Sequence, residues 1–381
     1  MIIGIDASRA NHEYKTGVEW YAYFVIEELK KSSSNRKGVR DFENLEFVLY
    51  TDKPLQGKLA KLPDRWNEKV LRWPPKRFWT QIRMSWEMFR HPPDVLFIPA
   101  HVFPIIHPKK TVVTIHDIAA TKFPESYNWF ERWYSVWSAK FALKKLWKII
   151  VPSHFTKNEL TSVFDSQTSA DVDVVHHGYD KKYRKIENKI KIGEVLKKYG
   201  IEKPFLMTVG RLEEKKNTWH IIQAFENLRV RSPKSEVRLI LVGKPGYGYE
   251  KVQQAIENSK YKNDIITPGW VDEEDVPYIM NVAEVFVFPS LYEGFGIPIL
   301  EAMACGTPVV TSCGSSLEEV GEDACVYVDP ENIQDIAEAV VKLIENIEYR
   351  MSHVEKGIRR AENFSWEKCA TETLNILLSE F

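Results

Sequence analysis

Residues 288–310 read FPSLYEGFGIPILEAMACGTPVV, and the pattern of this stretch indicates the fold class. An apolar run at 285–289 is followed by a turn with two glycines, an apolar segment that contains Pro298, and a second apolar run at 307–310. Proline suits the first turn of a helix, and runs that are apolar at successive positions are typical of strands buried on both faces. The stretch therefore predicts a strand, a helix and a second strand of one parallel sheet.

The same alternation extends through the rest of the chain. Apolar runs rich in Val, Ile and Phe predict strands at 2–6, 45–50, 95–99, 111–115, 148–151, 172–175, 205–209, 237–242, 285–289, 307–310 and 325–328. Helical patterns lie between them, at 18–31, 77–89, 129–145, 218–230, 299–304 and 333–345. Such strand–helix repetition predicts an α/β protein with doubly wound parallel sheets.

The length of the chain predicts more than one domain. A chain of 381 residues with 44% hydrophobic residues is long enough for two cores. The charged stretch 180–188, DKKYRKIEN, follows a predicted strand and turn, and a second αβ series begins after it. We therefore predict two Rossmann-like domains, 1–180 and 181–364. The formal net charge of −1 gives no indication of nucleic-acid binding or of wholesale attraction to a membrane.

A cationic loop follows the strand at 205–209. In the stretch 208–220, TVGRLEEKKNTWH, Gly210 allows a tight exit from the strand, and a helix is expected to begin after Asn217 as its N-cap. Arg211 and Lys216 thus lie at the carboxyl edge of a sheet, where open α/β sheets bind ligands. A helix N-terminus with adjacent cations suits a diphosphate. A solvated charged loop is the other interpretation, since two glutamates and a further lysine lie between these cations.

Two glutamates eight positions apart lie around the next turn. Glu293 precedes Gly294 and Gly296, which let a ligand approach the backbone closely, and Glu301 lies about one turn into the following helix. One carboxylate could hold sugar hydroxyls and the other ribose hydroxyls. A glutamate that complements the helix dipole is an alternative that would explain Glu301 but not the glycines beside Glu293.

The first half offers weaker candidates. Gly17 lies after the first strand and just before a helix, where backbone N–H groups could meet a phosphate, although a plain loop glycine is an alternative. His116 ends a predicted strand and could contact a transferred sugar or an acceptor, although a structural histidine is an alternative. Asp171 and Asp173 match a DxD metal pattern but open a predicted strand, and no cluster has metal-ligand spacing, so no metal is expected. The four cysteines form no CxxC pair and are expected to be reduced.

Together these residues resemble family 4 of the retaining glycosyltransferases, which have the GT-B fold. The specific part is GRLEEKKN at 210–217, followed by the E-x7-E motif of Glu293 and Glu301 and by CGTPVV at 305–310. TIHDIAATKFPESY at 114–127 and VPSHFTKNEL at 151–160 are also similar to members that build polysaccharides from mannose, rhamnose or related hexoses. The resemblance covers essentially the whole chain. It implies two Rossmann-like domains that face a cleft, with a last helix within 365–381 packing back on the first domain.

The resemblance also implies a role for each residue. Arg211 and Lys216 would bind the donor diphosphate and stabilise the departing nucleotide, Glu293 would contact the donor sugar, and Glu301 would hold the ribose. The remaining implied contacts are to the phosphates from Gly17, to the sugar from His116, and to the donor from Gly210, Gly294, Phe295, Gly296 and Val271. The first domain would receive the acceptor. Many relatives carry two glycines where this chain has Thr16 and Gly17.

Aromatic residues are concentrated in two basic stretches of the first half. Residues 69–90 combine Arg72, Lys76, Arg77, Arg83 and Arg90 with Trp73, Phe78, Trp79, Trp86 and Phe89. Residues 129–148 add Trp133, Trp137, Trp147 and several lysines. One interpretation is a surface that meets anionic lipid headgroups and a lipid-linked acceptor. Helix packing with solvated basic faces and stacking under sugar rings is the other.

The sequence thus favours transfer of a hexose from a nucleotide diphosphate sugar to a glycan or lipid-linked saccharide in polysaccharide biosynthesis. GDP-mannose is slightly preferred to a UDP-sugar or dTDP-sugar, and no cofactor or nucleic acid is expected. A sugar-phosphate epimerase or phosphorylase, and a non-catalytic partner subunit that binds nucleotide sugar, remain alternatives. The apolar N-terminus is expected to be a strand, not a signal peptide. No run reaches the length of a membrane span, which predicts a cytoplasmic protein and leaves open a peripheral position on the inner face of the membrane.

Overall fold

A computed structural model describes residues 1–35, 45–75, 77–164, 169–231 and 236–379. Lys76, one of the cations of the basic aromatic stretch, lies outside these residues. The strands are β1 Ile2–Asp6, β2 Glu46–Thr51, β3 Trp66–Val70, β4 Val95–Ile98, β5 Thr111–Thr114, β6 Lys148–Val151, β7 Asp171–Val174, β8 Phe205–Val209, β9 Arg238–Val242, β10 Ile265–Gly269, β11 Val285–Phe288, β12 Val309–Ser312 and β13 Cys325–Val328. The α-helices are α1 Gly17–Asn35, α2 Ser85–Arg90, α3 Ala119–Lys122, α4 Trp129–Lys145, α5 His154–Val163, α6 Lys189–Lys198, α7 Thr218–Arg231, α8 Tyr249–Asn258, α9 Val276–Met280, α10 Ile297–Ala304, α11 Ser316–Gly321, α12 Ile333–Glu345, α13 Ile347–Ala361 and α14 Trp366–Leu378.

Short helices of other types complete the chain. A π-helix spans Trp79–Met84, and 3₁₀ turns span Pro124–Ser126, Glu214–Lys216, Lys262–Asp264 and Glu322–Ala324. Phe78, with φ of 63°, precedes the π-helix. The single helix predicted at 77–89 is therefore wrong in its first half. A bulky side chain in the left-handed region begins the segment, and the backbone reaches α-helical geometry only from Ser85 onwards.

The chain divides into two compact units. The first unit is Met1–Gly178 with Ser365–Phe381, and the second is Tyr179–Phe364. The first unit holds a seven-stranded sheet in the order β3-β2-β1-β4-β5-β6-β7, and the second holds a six-stranded sheet in the order β10-β9-β8-β11-β12-β13. Every pair of neighbouring strands is parallel. The predicted fold class, two Rossmann-like parallel-sheet units, is confirmed.

Both faces of the second sheet are buried. In β8, Phe205 and Met207 lie in one hydrophobic cluster, whereas Leu206 lies in the other. In β9, Ile240 belongs to the first cluster and Leu241 to the second. Because successive side chains of a strand point to opposite faces, this division explains why the strands are apolar at every position.

The C-terminal helix packs within the first unit, against α1. The Trp366 ring stacks on that of Phe24 with centroids 5.2 Å apart. A Cβ on Gly178, at the end of the segment after β7, would lie 2.1 Å from the Trp366 backbone nitrogen. Glycine is therefore required at the position where the chain passes the beginning of this helix.

Candidate active site

Three glycines stack at the carboxyl edge of the second sheet. Gly210, Gly243 and Gly269 lie at the ends of β8, β9 and β10 with φ of 149°, 152° and 73°. The Gly210 N–H donates to Val242 O at 3.0 Å, and the Gly243 N–H donates to Gly269 O at 3.2 Å. A Cβ on Gly243 would lie 1.7 Å from Gly210 O. The absence of a side chain at Gly243 therefore allows the loops after β8 and β9 to lie side by side.

Hydrogen bonds join the cationic loop to the turn that carries Glu293. Lys215 O accepts from Leu291 N at 2.9 Å and from Ser290 Oγ at 3.1 Å. The two loops lie next to each other because β8 and β11 are neighbouring strands, although 80 positions separate Gly210 and Ser290 in the sequence. This attachment fixes the backbone of the loop next to the predicted sugar-binding turn.

Lys216 and Glu293 form an ion pair at this junction. Their side chains are only 20% and 12% exposed. The Lys216 ammonium also lies 5.2 Å from the centroid of the Phe288 ring. The structure thus brings together a predicted phosphate-binding cation and a predicted sugar-binding carboxylate, and the surroundings of the pair are partly removed from water.

Asn217 plays a different part from the one predicted. It has φ of 59°, and its side-chain amide donates to Pro289 O at 3.0 Å and to Pro330 O at 2.7 Å. Its Oδ1 accepts no hydrogen bond from any residue that the structure describes, so the predicted side-chain cap of α7 is wrong. A cap needs an extended backbone before the helix, which the left-handed conformation of Asn217 excludes. The residue instead fastens the cationic loop to two neighbouring segments.

Arg211 lies on the same loop but is exposed. Within the ranges that the structure describes, its side chain makes no hydrogen bond and no ion pair. Of the two cations predicted to bind phosphate, Lys216 is therefore paired with a carboxylate, and Arg211 is open to solvent.

Hydrogen bonds from the first residue of α11 fix the backbone of the turn after Glu293. The Ser316 hydroxyl lies 2.8 Å from Glu293 O and 3.0 Å from Phe295 O. Gly296 has φ of 110°, and a Cβ there would lie 2.4 Å from Leu317 Cδ2. The Phe295 side chain is buried, so only the backbone of this predicted site residue is left to meet a ligand.

Glu301 has other neighbours than Glu293. It lies in α10, near Lys182, Asp180 and Glu273. Burial raises the pKa of Glu301 to about 8; Lys182 opposes this shift, and Asp180 and Glu273 add to it. The carboxyl group is thus largely protonated at neutral pH. The sequence analysis missed these three charged residues, because Asp180 and Lys182 lie in the charged stretch 180–188 at the predicted domain boundary and none of the three belongs to a motif.

The segment after β10 presents an exposed indole. Val271 is buried in the core, whereas Trp270 is 49% exposed. The Lys244 ammonium lies 4.4 Å from the centroid of a Trp270 ring. The side chain of Val271, a predicted donor contact, is therefore structural, and its neighbour Trp270 offers the accessible surface.

Gly17 and His116 lie in the first unit. Gly17 is the exposed first residue of α1, and a Cβ there would meet no atom within 4 Å. His116 Nε2 lies 3.1 Å from Pro99 O, and burial lowers the pKa of His116 to about 4. The imidazole is therefore neutral at physiological pH, with the proton on Nε2 and an acceptor lone pair on Nδ1. Tyr21 and His177 pack against it with ring centroids 4.7 Å and 5.3 Å away.

Comparison with known families accounts for both units. The family described as glycosyl transferases group 1 matches residues 192–360, and the family described as Glycosyltransferase Family 4 matches residues 45–183. O-antigen chain mannosyltransferase B of Escherichia coli is 32% identical over 272 residues, which is 70% of this chain and 70% of that protein. The chain belongs to the group 1, family 4 glycosyltransferases.

Solved structures share the fold of this glycosyltransferase over its whole length. Sucrose-phosphate synthase from Thermosynechococcus elongatus has a TM-score of 0.75 at 16% identity and covers 98% of each chain. Anabaena HepE in complex with UDP and glucose has a TM-score of 0.71 at 17% identity and covers 99% of each chain.

The two aspartates of the DxD pattern lie beside a lysine in the first unit of the glycosyltransferase. Asp171 and Asp173 lie in β7, 3.4 Å and 3.8 Å from the Lys148 ammonium. Among the described residues, no group of three or more His, Cys, Asp or Glu side chains could hold a metal ion.

Glu301 gives the glycosyltransferase a pH-dependent stability. Burial raises its pKa from the ordinary 4.5 to about 8 in the fold, so the folded chain keeps a proton that the unfolded chain releases between these values. The stability contributed by this carboxyl is therefore lost as the pH rises from about 4.5 to 8. We expect Glu301→Gln to be a few kcal/mol more stable than the parent at pH 8.5, with little difference at pH 4.5. Urea unfolding of both proteins between pH 4.5 and about 8.5 measures this difference in the free energy of unfolding.

Glu257→Gln, at an exposed position of α8, is the matched control. It should follow the parent at every pH. Parallel stability curves for the parent and Glu301→Gln would contradict the prediction.

Proposed function

We propose that the chain transfers a hexose, with retention of anomeric configuration, from a nucleotide diphosphate sugar to a glycan or lipid-linked saccharide in polysaccharide biosynthesis. The observation that carries the proposal is the Lys216–Glu293 ion pair at the carboxyl edge of the second sheet. A cation that would bind the phosphates and a carboxylate that would bind the sugar meet there. Among the described residues, Lys216 forms no ion pair with a second acidic side chain. GDP-mannose is the favoured donor, because the similar Escherichia coli protein is a mannosyltransferase. UDP-sugars are the second choice, because HepE was solved with UDP and glucose.

The charges that develop during transfer suit this site. As the anomeric C–O bond breaks, negative charge grows on the β-phosphate and positive charge on the sugar ring. We propose that Lys216 and Arg211 neutralise the phosphate, with the N-terminus of α7 nearby, and that no metal is needed. The acceptor hydroxyl attacks the same face that the leaving group departs from, forms the new C–O bond and gives its proton to the departing phosphate. Retention follows from that front-side geometry.

Glu301 and His116 would hold hydroxyl groups. A protonated Glu301 carboxyl can donate one hydrogen bond and accept others, which suits the two hydroxyls of a ribose. The neutral His116 can accept a hydrogen bond from a sugar hydroxyl through Nδ1, but it cannot act as a general acid at neutral pH. Glu293 would orient the transferred sugar through its hydroxyls.

The backbone positions complete the proposed donor site. Gly210, Gly294 and Gly296 would let the donor approach the backbone of the second unit, with the base near Trp270 and Val271. Gly17 would approach the phosphates, and the first unit would receive the acceptor. The open space around the Gly17 Cα is compatible with such an approach.

The reaction class can be tested directly with the full chain. Thermal shift with GDP, UDP and dTDP sugars should give the largest stabilisation with the true donor, and we expect GDP-mannose to give it. NMR of the product formed with that donor and an oligomannoside acceptor should show the α-anomer. An inverted product would refute retention, and stabilisation by no nucleotide sugar would refute the proposed donor site.

The location is also proposed. Among the described helices, none is both long enough and apolar enough to cross a bilayer. We propose that the enzyme works in the cytoplasm, on a nucleotide sugar and a saccharide acceptor and without a nucleic-acid partner.

A further inference from the structure

The first unit carries a large exposed apolar surface, which we name the aromatic face. It consists of nine side chains, each at least 44% exposed: Phe78, Ile82, Trp86, Phe89, Ile105, Ile106, Trp129, Phe130 and Trp133. These are half of the exposed large hydrophobic side chains among the described residues. Scattered exposed apolar residues are ordinary on a protein surface, but such a concentration indicates an interaction surface.

Specific hydrogen bonds join the three segments that supply these side chains. The Gln81 amide in the π-helix donates to the Tyr134 hydroxyl in α4 at 3.1 Å. The Ser85 hydroxyl of α2 accepts from the backbone N–H groups of Ile105 and Ile106 at 2.9 Å and 3.3 Å. These hydrogen bonds make the π-helix with α2, the loop at 103–106 and the first turns of α4 neighbouring segments of the first unit.

The charge of these segments is strongly unbalanced. Residues 72–90, 103–110 and 129–145 contain eleven Lys and Arg but two Glu, in a chain with 52 basic and 53 acidic residues. Glu87 is buried and forms ion pairs with Lys69 at 2.5 Å and Arg83 at 3.1 Å. Glu131 accepts from the Asn128 N–H in the capping box of α4. The charge that the segments present to solvent is thus mainly positive.

The aliphatic members decide between a glycan and a lipid surface. Sugar rings stack on the faces of aromatic side chains, but Ile82, Ile105 and Ile106 offer no such face. Trp and Phe beside exposed isoleucines, with Lys and Arg around them, suit the boundary between acyl chains and anionic headgroups. We propose that the aromatic face docks on a bilayer that contains anionic lipid.

This inference does not depend on the donor assignment. The aromatic face lies in the first unit, whereas Arg211, Lys216 and Glu293 lie in the second. An enzyme that docks in this way reaches a lipid-linked acceptor at the membrane surface. Failure of docking would leave the proposed donor site untouched, and the converse also holds.

Vesicle sedimentation with the full chain tests the proposal. The parent should bind vesicles of phosphatidylglycerol and phosphatidylcholine but not vesicles of phosphatidylcholine alone. The double variant Phe89→Ser, Trp129→Ser should bind the anionic vesicles at least about tenfold more weakly, because two large apolar anchors are lost. The double variant Arg90→Glu, Arg132→Glu should lose roughly fivefold or more for each reversed charge.

A matched control alters the same kinds of residue in the second unit. Ile347 is 73% exposed and Lys260 is exposed, so Ile347→Ser, Lys260→Glu should bind vesicles as the parent does. An unchanged cooperative unfolding transition in the absence of any ligand would show that the aromatic-face variants are folded. The proposal would be overturned if the parent ignored anionic vesicles, or if the aromatic-face variants bound as the parent does. Loss of oligomannoside binding in those variants, without vesicle binding by the parent, would assign the surface to a glycan.

Discussion

Lys216→Ala should lower the turnover of nucleotide sugar by roughly 100- to 1,000-fold, as expected for the loss of one preorganised donor to a developing negative charge. The effect should appear in kcat, because the charge on the departing phosphate is larger in the transition state than in the bound donor. Lys216 is suited to this role by position, since the loop that carries it is bonded to Leu291 and Ser290. Steady-state release of the nucleoside diphosphate measures the change.

Lys215→Ala is the matched control. It removes the same side chain from the adjacent position, while the Lys215 backbone carbonyl that joins the two loops is kept. We expect less than about a threefold change in turnover, the range of an ordinary surface substitution. Equal losses in both variants would mean that the loop as a whole is perturbed. Near-normal turnover of Lys216→Ala would refute the charge-neutralising role.

Lys216→Ala should also lower the free energy of unfolding. Removal of the cation leaves Glu293, only 12% exposed, without its partner in the ion pair. The double variant Lys216→Met, Glu293→Gln removes both charges and should recover stability without recovering turnover. A folded but inactive double variant would separate catalysis from folding.

Eleven of the thirteen described strands were predictable from apolar runs, including the edge strands β7 and β13. Every strand predicted from an apolar run is found within two residues of its position. The two strands that were missed, β3 and β10, are edge strands with the sequences WNEKV and IITPG. WNEKV has three polar residues and IITPG contains Thr, Pro and Gly, so neither sequence forms an apolar run that would mark a strand.

The site was predictable in its residues but not in its contacts. The order of motifs indicated that Lys216 and Glu293 belong to one site, yet nothing in the spacing of 77 positions predicts an ion pair. Burial of Glu301 in the fold raises its pKa, Asp180 adds to this shift and Lys182 opposes it, and no motif in the sequence indicates that these residues meet at α10. Asn217 was assigned by residue type to a helix cap, but its backbone conformation gives the amide other partners.

Glu293→Gln should change turnover and product binding in opposite directions. The substitution keeps the shape of the side chain but removes the charge that, in the proposed site, would accept hydrogen bonds from the transferred sugar. Hydrogen bonds to charged groups contribute about 1.5–3 kcal/mol, so turnover should fall roughly 10- to 150-fold. The nucleoside diphosphate lacks the sugar, and in the proposed site it would compete with the Glu293 carboxylate, the ion-pair partner of Lys216, for the Lys216 ammonium. Its affinity should therefore rise about two- to fivefold, the scale of a partly solvated ion pair.

Calorimetric titration of the nucleoside diphosphate, beside steady-state turnover, measures both changes in one variant. Glu213→Gln is the control, since it removes a carboxylate from the same cationic loop at a position outside the ion pair with Lys216. It should leave turnover within about threefold of the parent. A weaker affinity of Glu293→Gln for the nucleoside diphosphate would show that Glu293 positions Lys216 for the phosphate instead of competing with it. The ion pair would then be part of the donor-bound state and not an arrangement that the donor must displace.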